Sequence, residues 1–440
     1  MENFFSSSPV QILISFLDIY EASSFRTLNR FCCNQTRIAV RLDLRFKSWI
    51  CATKLHSMYP NIKLIAKEGN TFYPLQCSKL PPIISFQQFN LRNLPPEEFF
   101  IRQTKMTSLI IQIMYDLIIP ANIFELCRNL SRITIFATTT VYLKINYEPI
   151  WTLPCLTFLE IGTTRHDNDH DEPTFEWINF CTNLVNLTLW FPNLKVLSIP
   201  ALTKLTSLGI TTENDPKLSS NCVLPNLISL AIKLCHNTIL HETLSTKMKN
   251  LTKLSLGYVE IDLSILTKLE SLTLQKCKIN PNGDISFLTR LTSLTLVDQR
   301  GICLMSLNCI TSLQTMGICR NYPNEEIEHL TNLTNLTITN CKLDLDCFKN
   351  MYKLKILTDI HSINYSKGDI LNLIQLKKLH LSNCSFDHKI QIIKLTNLTS
   401  LSSAGTIFNE AELLKLPKLM NCSLRNDGRK VRQGSVQIGS

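Results

Sequence analysis

The run Arg165-His-Asp-Asn-Asp-His-Asp-Glu172 gathers more potential metal ligands than any other stretch of the chain. Asp167, Asp169 and Asp171 alternate as the oxygen ligands of a calcium loop do. That loop, however, needs a glycine at its sixth place and a glutamate at its twelfth, where this chain has Glu172 and Ile178. His166 and His170 have the spacing that brings two imidazoles to one face of a helix for zinc, but so polar a run reads as a loop. It is expected to be a solvated insertion that lengthens one step of the chain. Other chemistry is equally thin. There is no Walker-type phosphate loop, no Cys-x-x-Cys pair and no Gly-x-Ser-x-Gly elbow, and the 9 histidines are scattered. The expectation is a protein without catalytic residues, metal or cofactor.

The chemistry that remains is recognition, and the elements that would position it announce themselves by a recurring phrase. From Met106 to Leu424 the order apolar, two residues, apolar, two residues, apolar, one residue, apolar returns at intervals of about 22 residues. Leu266-Thr-Lys-Leu269-Glu-Ser-Leu272-Thr-Leu274 is a clear copy. The last anchor falls at Ile111, Ile135, Ile161, Leu189, Ile210, Ile232, Leu256, Leu274, Leu296, Ile318, Ile338, Asp359, Leu381, Ser403 and Leu424. Leu272 and Leu274 are two apart, so on a strand both face one side, with Ser271, Thr273 and Gln275 on the other. One copy cannot stand alone. Its buried leucines contribute about 6–12 kcal/mol, against a backbone ordering cost of at least about 20 kcal/mol.

This pattern resembles the leucine-rich-repeat family, in its short class of Sds22- and internalin-like repeats. The resemblance implies an α/β solenoid, a horseshoe with a parallel β-sheet on the concave face and short helical or 3-10 turns on the convex face. It also implies a role in binding another protein. In that family an Asn or Cys shortly after the last anchor bonds exposed backbone; here Cys235, Cys277, Cys341, Cys384 and Asn321 take that place, so these cysteines read as structural. Asp284 to Leu291 and Asn409 to Leu416 read as capped helical turns. Three faults are visible. Leu194-Lys-Val-Leu197-Ser-Ile199 is either a very short unit or the convex side. Ile360 is expected to compete with Asp359 for the core, with a local register distortion, and Ser403 weakens its unit.

Large side chains at outward strand positions mark the surface a partner would touch, because aromatic and arginine residues dominate interface energetics. They are Trp190, Phe191, Tyr258, Lys276, Arg320, His361, Lys378 and His380.

Residues 1–50 lie outside the repeat, and residues 9–34 have helical spacing. Pro9, Gln11, Ile12 and Leu13, then Ile14-Ser-Phe-Leu-Asp18 and Glu21, resemble an F-box. Its first block is about one turn short, its second about one turn long, and the closing Trp is missing. The resemblance implies contact with the Skp1-type adaptor of a cullin ubiquitin ligase through Pro9, Ile12, Leu13, Phe16 and Leu17. The alternative is a helical cap on the open end of the solenoid. Residues 51–105 form a degenerate entry region, 106–425 the repeats, and 426–440 a tail without apolar rhythm, expected to be disordered.

Composition fits this outline. The formal charge of +10 sits at the two ends of the chain, which argues against a nucleic-acid groove along the repeats. The first residues do not read as a secretory signal, and the apolar run Leu109 to Phe124 is interrupted by Gln112, Asp116 and Pro120. A cytoplasmic or nuclear protein without membrane contact, with its 17 cysteines reduced, is therefore expected. The sequons at Asn332 and Asn397 follow from the repeated Leu-Thr-Asn-Leu-Thr phrase.

Overall fold

The computed structural model describes residues 39–43, 63–68, 83–91, 97–113, 117–119, 122–137, 143–145, 148–163, 176–192, 194, 196–197, 199, 202–213, 217–218, 224–239, 250–280, 284–299, 302, 304, 307, 309–320, 327–341, 348–360, 364–365, 373–383, 385–386, 392–404 and 410–425. Two compact units divide the chain, Met1–Asn226 and Leu227–Ser440.

In the first unit the strands are β1 Ala39–Asp43, β2 Lys63–Glu68, β3 Ile83–Leu91, β4 Ser108–Ile113, β5 Leu117–Ile119, β6 Arg132–Ala137, β7 Leu143–Ile145, β8 Phe158–Thr163, β9 Asn186–Trp190, β10 Val196–Leu197, β11 Ser207–Thr212 and β12 Lys217–Leu218. Short helices α1 Glu97–Ile101, α2 Asn122–Leu126 and α3 Glu148–Trp151, with a 3-10 turn at Glu176–Phe180, carry the chain between the later strands. β1, β2, β3, β4, β6, β8, β9 and β11 pair in that order, every pair parallel. The second unit has β13 Ser229–Ile239, β14 Lys253–Asp262, β15 Ser271–Gln275, β16 Lys278–Asn280, β17 Ser293–Val297, β18 Ser312–Arg320, β19 Asn335–Cys341, β20 Ile356–Ile360, β21 Asn364–Tyr365, β22 Lys378–Ser382, β23 Ser385–Phe386, β24 Ser400–Ala404 and β25 Asn421–Arg425, with helix α4 at Glu410–Leu413. Here β13, β14, β15, β17, β18, β19, β20, β22, β24 and β25 form the parallel ladder. Each unit is thus a parallel β-solenoid with little helix, the leucine-rich-repeat architecture that the periodicity predicts.

Register explains why the phrase works. Ile111, Ile135, Ile161, Leu189 and Ile210 stand in one row of the first unit. Ile232, Leu256, Leu274 and Leu296 do so in the second. All nine are buried, as are the preceding anchors such as Leu266, Leu269 and Leu272. A further core seat lies one turn ahead of the phrase, filled by Phe100, Phe124, Ile150, Ile178, Leu263, Ile285, Leu304, Ile327, Phe348 and Ile392. Phe86, Phe99 and Phe100 are fully buried, with ring centroids 5.0 to 6.5 Å apart.

Backbone donors between repeats find the same acceptor each time. The carbonyl of Glu270 accepts from Thr292 N at 2.9 Å, Ser293 N at 3.0 Å and the Thr292 hydroxyl at 3.1 Å. Thr157, Thr206, Thr311, Thr334 and Thr399 donate in the same way to the repeat before. An asparagine before the phrase's second anchor adds another column. Asn129, Asn183, Asn226 and Asn397 each donate to a carbonyl one repeat back. Asn183, Asn250, Asn332 and Asn397 accept from Lys204, Lys268, Lys353 and Lys418 one repeat on. The sequon nitrogen of Asn397 is therefore already engaged, at 2.8 Å from the Ile374 carbonyl.

The structure corrects several expectations. The anchor in β18 is Thr315 and not Ile318, because Thr315 pairs with Leu296 on one side and Ile338 on the other. Asp359 keeps its seat between Ile338 and Leu381 and is fully buried, while Ile360 faces outward and half-buried, so no register distortion occurs. Ser403 is likewise buried in register. The ambiguous Leu194–Ile199 stretch is not a unit of the main sheet: β10 pairs with β12 in a separate short ladder, as β5 does with β7 and β21 with β23. Among the described residues the sheet starts with β1, beyond the 9–34 run, and crosses the entry region through β2 and β3. Residues 284–291 form turns and no helix, although the capping bond is present, with Ser286 N donating to Asp284 Oδ1 at 2.8 Å. Residues 9–34 and 426–440 lie outside the described residues, as does the 165–172 run.

Candidate functional site

On the outward face, β6, β8 and β9 lay side chains in rows fixed by parallel register. The rows read Arg132–Phe158–Asn186, then Thr134–Glu160–Thr188, then Phe136–Gly162–Trp190. The Arg132 guanidinium carbon lies 3.8 Å above the Phe158 ring centroid. Thr134 donates to Glu160 Oε2 at 3.4 Å, and Glu160 is half-buried. Phe136 and Trp190 belong to strands two apart, yet their ring centroids are 5.1 Å from each other. Gly162 lies between them and makes this possible. A Cβ at Gly162 would stand 2.8 Å from the Trp190 carbonyl oxygen, so the indole side can close over the glycine only because no side chain is there. Trp190 remains 39% exposed. The arrangement is a cation from β6 stacked on Phe158 in one row, a carboxylate of β8 in the next and an aromatic pair over Gly162 in the third.

Most of the second unit presents a plainer surface. Ser271, Thr273, Ser293, Thr295, Asn335, Thr337, Ser400 and Ser402 are half-buried hydroxyls and amides at outward strand positions. A different cluster forms just past the last core anchors, inside β14 and directly after β15 and β17. Tyr258, Lys276 and Asp298 occupy the second place after the last anchor in three successive repeats. The Lys276 ammonium lies 5.4 Å from the Tyr258 ring centroid and 3.7 Å from Asp298 Oδ2. These three residues, with Asn340 and Asn383, have positive φ, from 47° to 60°. At the next place the Cys277 N–H donates to Gln299 Oε1 at 2.7 Å, and Gln299 Nε2 donates to the Cys277 carbonyl at 2.6 Å. The Cys277 thiol donates to the Leu256 carbonyl at 3.4 Å. The predicted cysteine seat is therefore a hydrogen-bonding position, and Gln299 fills it as well.

Of the residues expected to meet a partner, Trp190 is outward, Lys276 and Lys378 are exposed, and Tyr258 and His380 are half-buried. Phe191 is a correction: it is 5% exposed and belongs to the core. Adjacent strand residues point to opposite faces, so Trp190 and Phe191 cannot both be outward. Pro192 also keeps Phe191 extended, and Phe191 is absent from the left-handed residues that include Tyr258 and Lys276. Arg320 ends β18, paired with Cys341 across a register shift. His361 lies outside the described residues. The structure joins Tyr258 to Lys276, and Lys378 to His380 along β22. Arg132, Phe136, Phe158, Glu160 and Gly162 were not anticipated, although the same alternation that singled out Trp190 marks them as outward.

Among the described residues, burial disfavours the reactive thiolate at three cysteines. Burial pushes Cys127 and Cys181 up to about 12 and raises Cys277 as well. Among the described residues no group of His, Cys, Asp and Glu could hold a metal ion, and no helix is long and apolar enough to cross a membrane.

No protein-family model matches the chain, and no curated protein matches its sequence. Solved structures that it resembles include an internalin (InlF) of Listeria monocytogenes, at 22% identity and TM-score 0.46, covering 69% of this chain and 88% of that one. A leucine-rich-repeat protein of Leptospira interrogans is 18% identical with TM-score 0.47, covering 90% and 98%. The functional domain of InlJ from Listeria monocytogenes, which includes a cysteine ladder, is 16% identical with TM-score 0.41, covering 74% and 70%.

Proposed function

We propose that this chain is a non-enzymatic recognition protein that holds a protein partner against the outward face of its repeat strands. The observation that carries this reading is the cluster on β6, β8 and β9. Aromatic rings, a guanidinium and a carboxylate stand together there, against the hydroxyl-rich background of most later strands. Such side chains supply most of the binding energy at protein interfaces. Cross-linking of the full chain in its native extract, with mass-spectrometric mapping, is the test. Cross-links to the outward strand positions, and capture reduced about tenfold by Trp190→Ser, are expected. Cross-links confined to the turns opposite the sheet would overturn the reading.

A finer reading makes the partner a substrate and the chain the receptor of an F-box ubiquitin ligase. Its support is the motif around Pro9, Ile12, Leu13, Phe16 and Leu17. A purified Skp1-type adaptor would then bind the full chain and lose binding on Leu13→Ala with Phe16→Ala. Failure of the unaltered chain to bind refutes it. The alternative, a phosphatase-regulating scaffold, draws on the short repeat length, and phosphatase capture that survives deletion of residues 1–50 would favour it.

A further inference from the structure

We infer that the β6–β8–β9 surface takes an extended polypeptide segment whose alternate residues are acidic, basic and apolar, laid along β8 and read in either chain direction. This deepens the recognition reading above and rests on it. Along β8 the outward positions are Phe158, Glu160 and Gly162. They are spaced by about 6.6–6.8 Å, the repeat of alternate side chains in any extended chain. Each offers a different chemistry. At the first, the Arg132 guanidinium carbon sits 3.8 Å over the Phe158 ring on an exposed side chain, and its N–H groups can take a carboxylate. At the second stands the Glu160 carboxylate, whose contact with Thr134 is a long 3.4 Å. At the third the Phe136 and Trp190 rings form one apolar surface above Gly162. Neither Arg132 nor Glu160 forms an ion pair among the described residues. The two charges are of opposite sign and lie on neighbouring rows. A segment of uniform charge would therefore meet one repulsive contact, and an alternating one meets none.

The test is selection of a phage-displayed heptapeptide library on the immobilised full chain, in parallel with Glu160→Lys, Glu160→Gln and Trp190→Ser variants. The unaltered chain is expected to enrich, at alternate positions and in either order along the peptide, Asp or Glu and a large apolar residue flanking a central Lys or Arg. Glu160→Lys should turn the middle preference to Asp or Glu. Glu160→Gln should abolish that preference, and Trp190→Ser should lower recovery about tenfold. Absence of the pattern, or a middle position indifferent to both Glu160 variants, overturns the inference. If instead the native partner is still captured by all three variants and lost only on Lys378→Glu, the recognition reading stands and this site assignment falls.

Discussion

At the scale of single residues the core accepts polar groups only where the ladder holds them. Asp359 fills a seat taken in most repeats by leucine or isoleucine and is fully buried between Ile338 and Leu381. Burying a carboxylate opposes its hydration. Asp359→Leu is therefore expected to raise the free energy of unfolding by about 1–2 kcal/mol, measured by urea denaturation; a lower midpoint would show that its polar contacts outweigh its burial. Cys127 and Cys181 give a second prediction. Their folded thiols ionise near 12, against 9.0 when exposed, because burial disfavours the thiolate. The stability they contribute is thus complete below pH 9.0 and is lost as pH rises toward about 12, since only the unfolded chain sheds protons in that window. Thiol labelling at pH 8 should leave both unmodified until denaturant is added, and unfolding midpoints should fall across the alkaline window.

Elements show what spacing reveals and what it hides. The anchors from Ile111 to Leu296 were legible because leucine and isoleucine fill them at a fixed phase. Thr315 was not, because a polar anchor loses to the nearby Ile318 when apolar character alone is weighed. The buried Leu307, Ile310 and Leu313 ahead of it carry the correct phase. β3 escaped notice for a related reason: Gln87 and Gln88 interrupt any leucine rhythm, and pairing with β4 is what makes the segment a strand. Of the candidate surface, Trp190 was visible as an outward aromatic, whereas its partnership with Phe136 depends on a glycine in the strand between. The threonine column yields a prediction at this scale. Replacing Thr292, Thr311 and Thr334 together by Val keeps the β-branched shape and removes the hydroxyl bonds of 3.0 to 3.2 Å. A loss of about 2 kcal/mol is expected, measured by denaturant titration with strand content unchanged by circular dichroism.

Across each whole unit, stability comes from neighbours. Every main strand of the second unit pairs only with strands of adjacent turns, so a complete period can be removed without stranding its flanks. Deleting residues 275–296 joins Leu274 to Val297 at the same phase. Cooperative unfolding should be retained, with a lower midpoint. Deleting only residues 275–285 puts the anchors out of phase and should abolish the folded signal. Equal behaviour of the two deletions in a thermal melt would contradict a nearest-neighbour solenoid.

The recurrence of left-handed backbone two places after the last anchor has a consequence for which substitutions the chain can absorb. Asparagine and aspartate enter that conformation with little strain, and they occupy it at Asn340, Asn383 and Asp298. Tyr258 and Lys276 enter it at a cost, yet they are the pair whose ring and ammonium meet. Drift toward asparagine at those two places would relax the chain and erase the contact together, so their side chains, and not the turn, are what any selection acting there must be preserving.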